Sequence, residues 1–171
     1  MTPSNEEIAE HLLSCFEAIY LVLGESAPKM LDDAYVIRSY ETARAYGELA
    51  LATRAYLGDV DVPPLALLEA VLRFAVGADE SGAMAMFAMS VAVGPRLLVS
   101  LLDARGAITD DPELLAILER ASQVGVAQIR AIGDAASTRT PIEDLAWQNA
   151  ARDLVNTLET AGSAESLGIS R

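Results

Sequence analysis

The sequence predicts an all-α protein in which about six helices form one compact bundle. Apolar residues recur at intervals of three and four along most of the chain, which is the spacing of one helix face. No segment alternates apolar and polar residues as a half-buried strand does. Capping signals and glycines divide the chain into helix-length pieces. We therefore expect a single all-helical domain over residues 1–161, followed by a flexible C-terminal tail over residues 162–171.

The composition of the 171 residues argues against several classes of function. The net charge of −13 opposes binding to nucleic acid and to anionic membrane surfaces, because both need clusters of lysine and arginine. Hydrophobic residues make up 52% of the chain and aromatic residues only 5%, so we expect an aliphatic core. Cys15 is the single cysteine, which favours a reducing, cytoplasmic compartment. The first residues are acidic and lack the basic region of an export signal.

The first two predicted helices span residues 5–23 and 29–57. Asn5 is the expected cap of the first helix, and Gly24 its expected end. Leu13 and Tyr20 widen the inward-facing stripe, so we expect this helix to be well buried. The outer face of the second helix carries four charged residues at steps of three and four: Arg38, Glu41, Arg44 and Glu48. This spacing predicts a solvent-exposed ladder of ion pairs.

The most apolar stretch, residues 82–102, is predicted to lie within the central helix of the bundle, over residues 80–104. Arg96 is its single charge. Pro95 lacks an N–H group and clashes with the preceding turn, so we expect the helix to kink near Gly94-Pro95. The length matches a membrane span. Arg96, the flanking acidic residues and the amphipathic helices elsewhere favour burial within the protein instead, so a membrane partner is not expected.

Three further helices are predicted over residues 65–76, 112–133 and 141–160. The helix from 112 has a strong start, because an aspartate, a proline and a glutamate follow one another at 111–113. Gly125 lies on its apolar face and indicates a close helix crossing. The last helix begins with a capping box that contains a proline.

The kink also marks the candidate ligand site. Arg96 should lie in the first turn of the second half-helix, where free N–H groups and the helix dipole favour an anion. The residues proposed to hold an amphiphile with Arg96 are Met84, Met86, Phe87, Met89 and Ser100. Two alternatives remain open. Arg96 could pair with a buried acid such as Glu69, or it could lie on an exposed edge with Ser100 and Asp103.

No catalytic or metal-binding set is recognisable. His11 and Cys15 are one helical turn apart, but no third orienting group is identifiable and Cys15 faces inward, so we interpret the pair as structural. Glu41 and Glu48 lack the Glu-x-x-His partners of helical di-metal sites. We therefore expect no catalytic residues, no metal and no cofactor.

The tail contains one recognisable pattern, Ser166-Leu167-Gly168-Ile169. It resembles the Leu-Gly-Ile core of the C-terminal peptides that dock cargo proteins inside encapsulin shells. The Gly-Ser-Leu that usually follows this core is absent, and Ser170-Arg171 stands in its place. The resemblance implies a cargo protein that its shell holds by the tail.

Three functions follow from these patterns. The first is a non-enzymatic helical binding protein for an apolar or amphiphilic small molecule or for a partner helix. The second is a helical assembly or interaction protein, including the encapsulin-cargo variant. The third is an enzyme without a recognisable motif. Helices that are apolar on all sides also predict self-association, so we expect a homodimer that packs helix against helix.

Overall fold

The computed structural model describes residues 3–29, 33–58, 60–62, 94–108 and 110–136, together with six single positions between 145 and 156. The described residues contain helices and turns and no strand, which confirms the all-α class. Four helices have defined bounds: α1 (Asn5–Ser26), α2 (Asp33–Leu57), α3 (Gly94–Ala107) and α4 (Pro112–Ala136). A 3₁₀ turn, Ala27–Lys29, follows α1 directly.

The predicted number of six helices is only partly tested by these elements. The predictions for residues 65–76, for the first half of the central helix and for the tail lie outside the described residues. Within the predicted helix 141–160, every described position is helical. Residues 94–104 of the predicted central helix lie in α3, which begins at Gly94 and carries Pro95 in its first turn. A missing N–H group is harmless in that turn, but the kink itself stays a prediction.

The start and the end of α1 both differ from expectation. Ser4 is the cap: its hydroxyl accepts a 3.1 Å hydrogen bond from the Glu7 N–H, and the Glu7 carboxylate accepts a 2.7 Å bond from the Ser4 N–H. This capping box holds the pKa of Glu7 below its usual value. Gly24 does not end the helix. The backbone stays helical as far as Ala27, whose N–H bonds to the Leu23 carbonyl.

Helices α1 and α2 pack closely and run antiparallel. Two contacts show this direction: Glu17 of α1 pairs with Arg54 of α2, and the Ser39 hydroxyl of α2 donates to the Leu23 carbonyl of α1 at 3.0 Å. Phe16 and Tyr46 meet in the core between them, with ring centroids 6.2 Å apart. Fully buried aliphatic residues from all four helices complete this core: Ile8, Leu12, Leu49, Leu97, Leu101 and Leu114.

The predicted start of α4 is confirmed in detail. The Asp111 carboxylate caps the helix by accepting a 3.0 Å hydrogen bond from the Leu114 N–H. Its other oxygen accepts from the Tyr56 hydroxyl at 2.6 Å and from the Asn5 amide at 3.3 Å. One carboxylate therefore joins the start of α1, the end of α2 and the start of α4.

The close crossing predicted at Gly125 is also confirmed. A Cβ added there would lie 3.1 Å from the Cδ2 atom of Leu98, and 4.0 Å from the hydroxyl oxygen of Tyr46. Glycine lets α4 approach α3 and α2 at this point.

The predicted ladder of ion pairs on α2 is confirmed for Arg44 and Glu48 and wrong for Arg38. Arg44 and Glu48 pair at 3.1 Å on the same helix. Arg38 instead leaves the ladder and donates to the Ala131 carbonyl of α4 at 3.0 Å. Arg120 of α4 also binds Glu48, so the charged face of α2 is partly an interhelix contact.

The membrane alternative can be addressed for the described residues alone. None of their helices combines the length and the apolar character that crossing a bilayer requires. Most of residues 82–102 lies outside that part of the chain.

Candidate functional site

The ligand site expected around Arg96 is only partly visible. Arg96 and Ser100 lie one turn apart on α3, where Arg96 is half-buried and Ser100 fully buried. The exposed-edge alternative is therefore wrong for Ser100, although Asp103 is exposed. The four remaining members of the site lie outside the described residues: Met84, Met86, Phe87 and Met89. The amphiphile site at the kink stays a prediction.

The His11–Cys15 pair has the wrong electrostatics for catalysis. Cys15 is buried in the core, and this burial raises the pKa of its thiol to about 12. An activated cysteine needs the opposite shift, because the thiolate is the nucleophile. Across the described ranges, no three histidine, cysteine or acidic side chains come together as a metal site would require.

A groove of about 760 Å³ lies along the outer faces of α1 and α2, away from the Arg96 region. Both helices contribute exposed apolar side chains to it: Tyr20 and Leu21 from α1, Tyr40 and Leu51 from α2. Leu51 is the most exposed of these at 69%. Large apolar side chains that gather in one concave surface are typical of a binding site.

Two glycines shape the groove. Gly47 of α2 lies beneath the Tyr20 ring, since a Cβ at this position would come within 3.1 Å of Tyr20 Cδ2. The close approach lets the ring lie against the α2 backbone and form one wall. At Gly24 of α1, no heavy atom of the described residues, apart from the adjoining backbone of α1 itself, lies within 4 Å of where a Cβ would stand. A bound molecule could therefore approach the α1 backbone closely at this point.

Ion pairs border the apolar floor. At one end, Arg54 Nε donates to Glu17 at 2.7 Å. Near the middle, Glu48 accepts hydrogen bonds from Arg44 and from Arg120 of α4. The hydrogen bond from Arg44 is the main reason why the pKa of Glu48 lies below its usual value, and the contact with Arg120 lowers it further. The rim therefore carries charges of both signs in fixed positions at neutral pH.

The sequence interpretation missed this groove because it placed Tyr20 in the core. The core stripe of α1 runs through Leu12, Phe16 and Ile19, whereas Tyr20 is 46% exposed. A second stripe was present in the sequence at positions 17, 20, 21 and 24, at helical spacing on another face. Positions 40, 44, 47, 51 and 54 form the matching stripe of α2.

Comparison of the chain with protein-family models, with curated proteins and with solved structures gives no match.

Proposed function

We propose that this protein is a non-enzymatic helical binding protein, and that its α1–α2 groove takes the apolar face of a partner helix. The observation that carries this proposal is the pair of exposed stripes. Both repeat at three and four residues and both border the same groove.

The spacing of the stripes favours a helix as the occupant. A helix laid along two antiparallel helices meets side chains at i, i+3, i+4 and i+7 on each of them, which is the spacing of positions 17 to 24 and 40 to 54. The exposed apolar side chains supply the driving force. Full burial of a leucine side chain such as that of Leu51 is worth about 1.5–3 kcal/mol.

A small amphiphilic molecule is the second candidate, and the size of the groove favours it. A volume of about 760 Å³ lies within the range of about 300–1,000 Å³ that is typical of ligand pockets. The hydroxyls of Tyr20 and Tyr40 and the charged rim would meet its polar head. The Arg96 site expected at the kink is a further proposal of this kind.

We propose a six-helix domain in a cytoplasmic setting, which the lone buried cysteine and the acidic composition favour. Assembly through the tail is an alternative that concerns residues 166–169, which lie outside the described residues.

Photo-crosslinking in the cells that naturally express the chain tests the proposed function. p-Benzoylphenylalanine is placed at position 51 in the groove and, as a matched control, at position 37. Ile37 lies on the same helix, is 58% exposed and does not line the groove. We expect a polypeptide adduct from position 51 and none from position 37.

The adduct also separates the two candidates. A polypeptide joined at position 51 supports the helix-binding function. A small-molecule mass on the intact chain supports the amphiphile instead. Equal polypeptide adducts from positions 51 and 37, or no adduct from position 51, would contradict a specific role for the groove.

A further inference from the structure

We infer that the helix in the α1–α2 groove belongs to a second copy of this chain, and that the two copies pair antiparallel about a two-fold axis near Leu21. This inference rests on the proposed function and names its partner. It goes beyond a general tendency to self-associate, because it assigns the interface and the residue at its centre.

The charges of the groove are the first argument. The whole chain carries 25 acidic and 12 basic residues, so most of its surface repels another copy. The groove differs, because three carboxylates share it with two guanidinium groups: Glu17, Glu25, Glu48, Arg44 and Arg54. Repulsion between two copies is therefore weak here. A strongly basic partner helix, which the chain as a whole would attract, would meet the two arginines.

The order of the charges is the second argument. Leu21 lies midway between Glu17 and Glu25 on α1. An antiparallel pairing of two α1 helices about Leu21 brings position 25 of one copy to position 17 of the other. Arg54 lies at that end of the groove, bonded to Glu17. Arg54 would then lie between two carboxylates, Glu17 of its own copy and Glu25 of the other, and would offset the repulsion between them; the symmetry makes this contact occur twice.

The open backbone at Gly24 is the third argument. A Cβ added there would have no heavy atom within 4 Å, so nothing in the described chain fills the space beside it. Small residues let helices approach closely, and the two-fold places Gly24 of each copy about one helical turn from the axis, opposite position 18 of the other copy. Helices α1 and α2 of both copies would then form a four-helix arrangement with its own apolar seam.

Disulfide trapping tests the arrangement directly. A residue near a two-fold axis faces the same residue of the other copy. The Leu21→Cys variant should therefore form a disulfide-linked dimer under mild oxidation. The natural Cys15 is buried and does not compete. Ile37→Cys is the matched control and should stay at the 18.1 kDa of one chain on a non-reducing gel. If Leu21→Cys gives no dimer band, or if Ile37→Cys gives as much dimer as Leu21→Cys, the inference is overturned.

Sedimentation velocity of the purified chain gives an independent measurement. We expect the wild type and Ile37→Glu to sediment as dimers, and Leu51→Glu to sediment as a monomer with unchanged helical circular dichroism. A monomeric wild type at about 0.1 mM, well above the micromolar dissociation constants of common complexes, overturns the inference. Should position 51 then crosslink to a different polypeptide in cells, the helix-binding function stands and only the identity of the partner fails. If position 51 gives no polypeptide adduct at all, both the helix-binding function and the pairing of two copies are overturned.

Discussion

The Tyr46 hydroxyl donates a 2.8 Å hydrogen bond to the side-chain carbonyl of Gln128, and both residues are buried. This contact joins α2 to α4 across 82 residues of sequence. Burial is also the main reason why the pKa of Tyr46 lies well above its usual value, so the hydroxyl remains a donor at neutral pH. The bond joins two polar side chains within a largely apolar core.

Removal of this hydroxyl should destabilise the fold. Tyr46→Phe takes the donor away from the buried Gln128 carbonyl, and we expect a loss of about 1–3 kcal/mol in the free energy of unfolding. Urea denaturation followed by circular dichroism measures it. Tyr56→Phe is a useful control, because it removes a hydroxyl whose partner, Asp111, reaches water. A loss at position 46 no larger than at position 56 would contradict the role given to the buried bond.

The Asp111 contacts should make stability depend on acid pH. The pKa of Asp111 is lowered, first by the hydrogen bond from the Leu114 N–H and then by that from Tyr56. A carboxyl with a lowered folded pKa adds stability that is fully present above its unfolded pKa of about 3.9. This stability is lost as the pH falls through the folded pKa.

Asp111→Asn isolates this effect, because asparagine still caps a helix but carries no charge. We expect the variant to be less stable than the wild type at pH 7, and the gap to close as the solution is acidified. Chemical denaturation at a series of pH values measures the gap. A gap of constant size from neutral to strongly acid pH would show that the charge contributes nothing.

The crossing at Gly125 predicts opposite outcomes for two glycine substitutions. Among the described residues, nothing beyond the adjoining backbone of α3 lies within 4 Å of a Cβ added at Gly106, so Gly106→Ala should stabilise the helix by about 0.4–1 kcal/mol. At Gly125 the same gain is opposed by the 3.1 Å approach to Leu98. We expect Gly125→Leu to cost about 1–3 kcal/mol through overpacking. Thermal unfolding compares the variants, and equal midpoints for Gly125→Leu and Gly106→Leu would disprove the tight crossing.

Gly24 allows binding to be separated from folding. Gly24→Leu adds a side chain where the described chain leaves open space, so the isolated chain should keep its stability or gain up to about 1 kcal/mol. The same side chain would fill the approach to the groove and weaken docking. We expect at least a tenfold loss of association in sedimentation equilibrium, with Gly106→Leu as the control. Unchanged association would mean that no partner backbone comes near Gly24.

Local signals predicted much of the fold. The start of α4 follows from residues 111–113, and the crossing follows from a glycine on an apolar face. Both depend on the chemistry of a few neighbouring residues, which the sequence displays directly. The bounds of α1 were harder, because Ser4 and Asn5 are both good caps and only the geometry shows which one bonds to Glu7.

The groove was not predicted, for a physical reason. When a helix is apolar on more than one side, its periodicity does not say which side faces the core. Tyr20 and Leu51 fit the helical pattern, yet they face outward. The position of Gln128 was not predicted either: it continues the spacing of Leu114, Leu118 and Ala121 and is buried, although its side chain is polar. The need of a buried Tyr46 hydroxyl for a partner was the available clue.

The shared carboxylate of Asp111 has an evolutionary consequence. Asn5 and Tyr56 both depend on one oxygen of that carboxylate, at 3.3 and 2.6 Å, while the other oxygen holds the first turn of α4. A glutamate at 111 would carry its charge one methylene further from the backbone. It would then be poorly placed both for Asn5 and Tyr56 and for the first turn of α4. Descendants of this chain should therefore replace positions 5, 56 and 111 in concert, and these three widely separated codons are expected to covary.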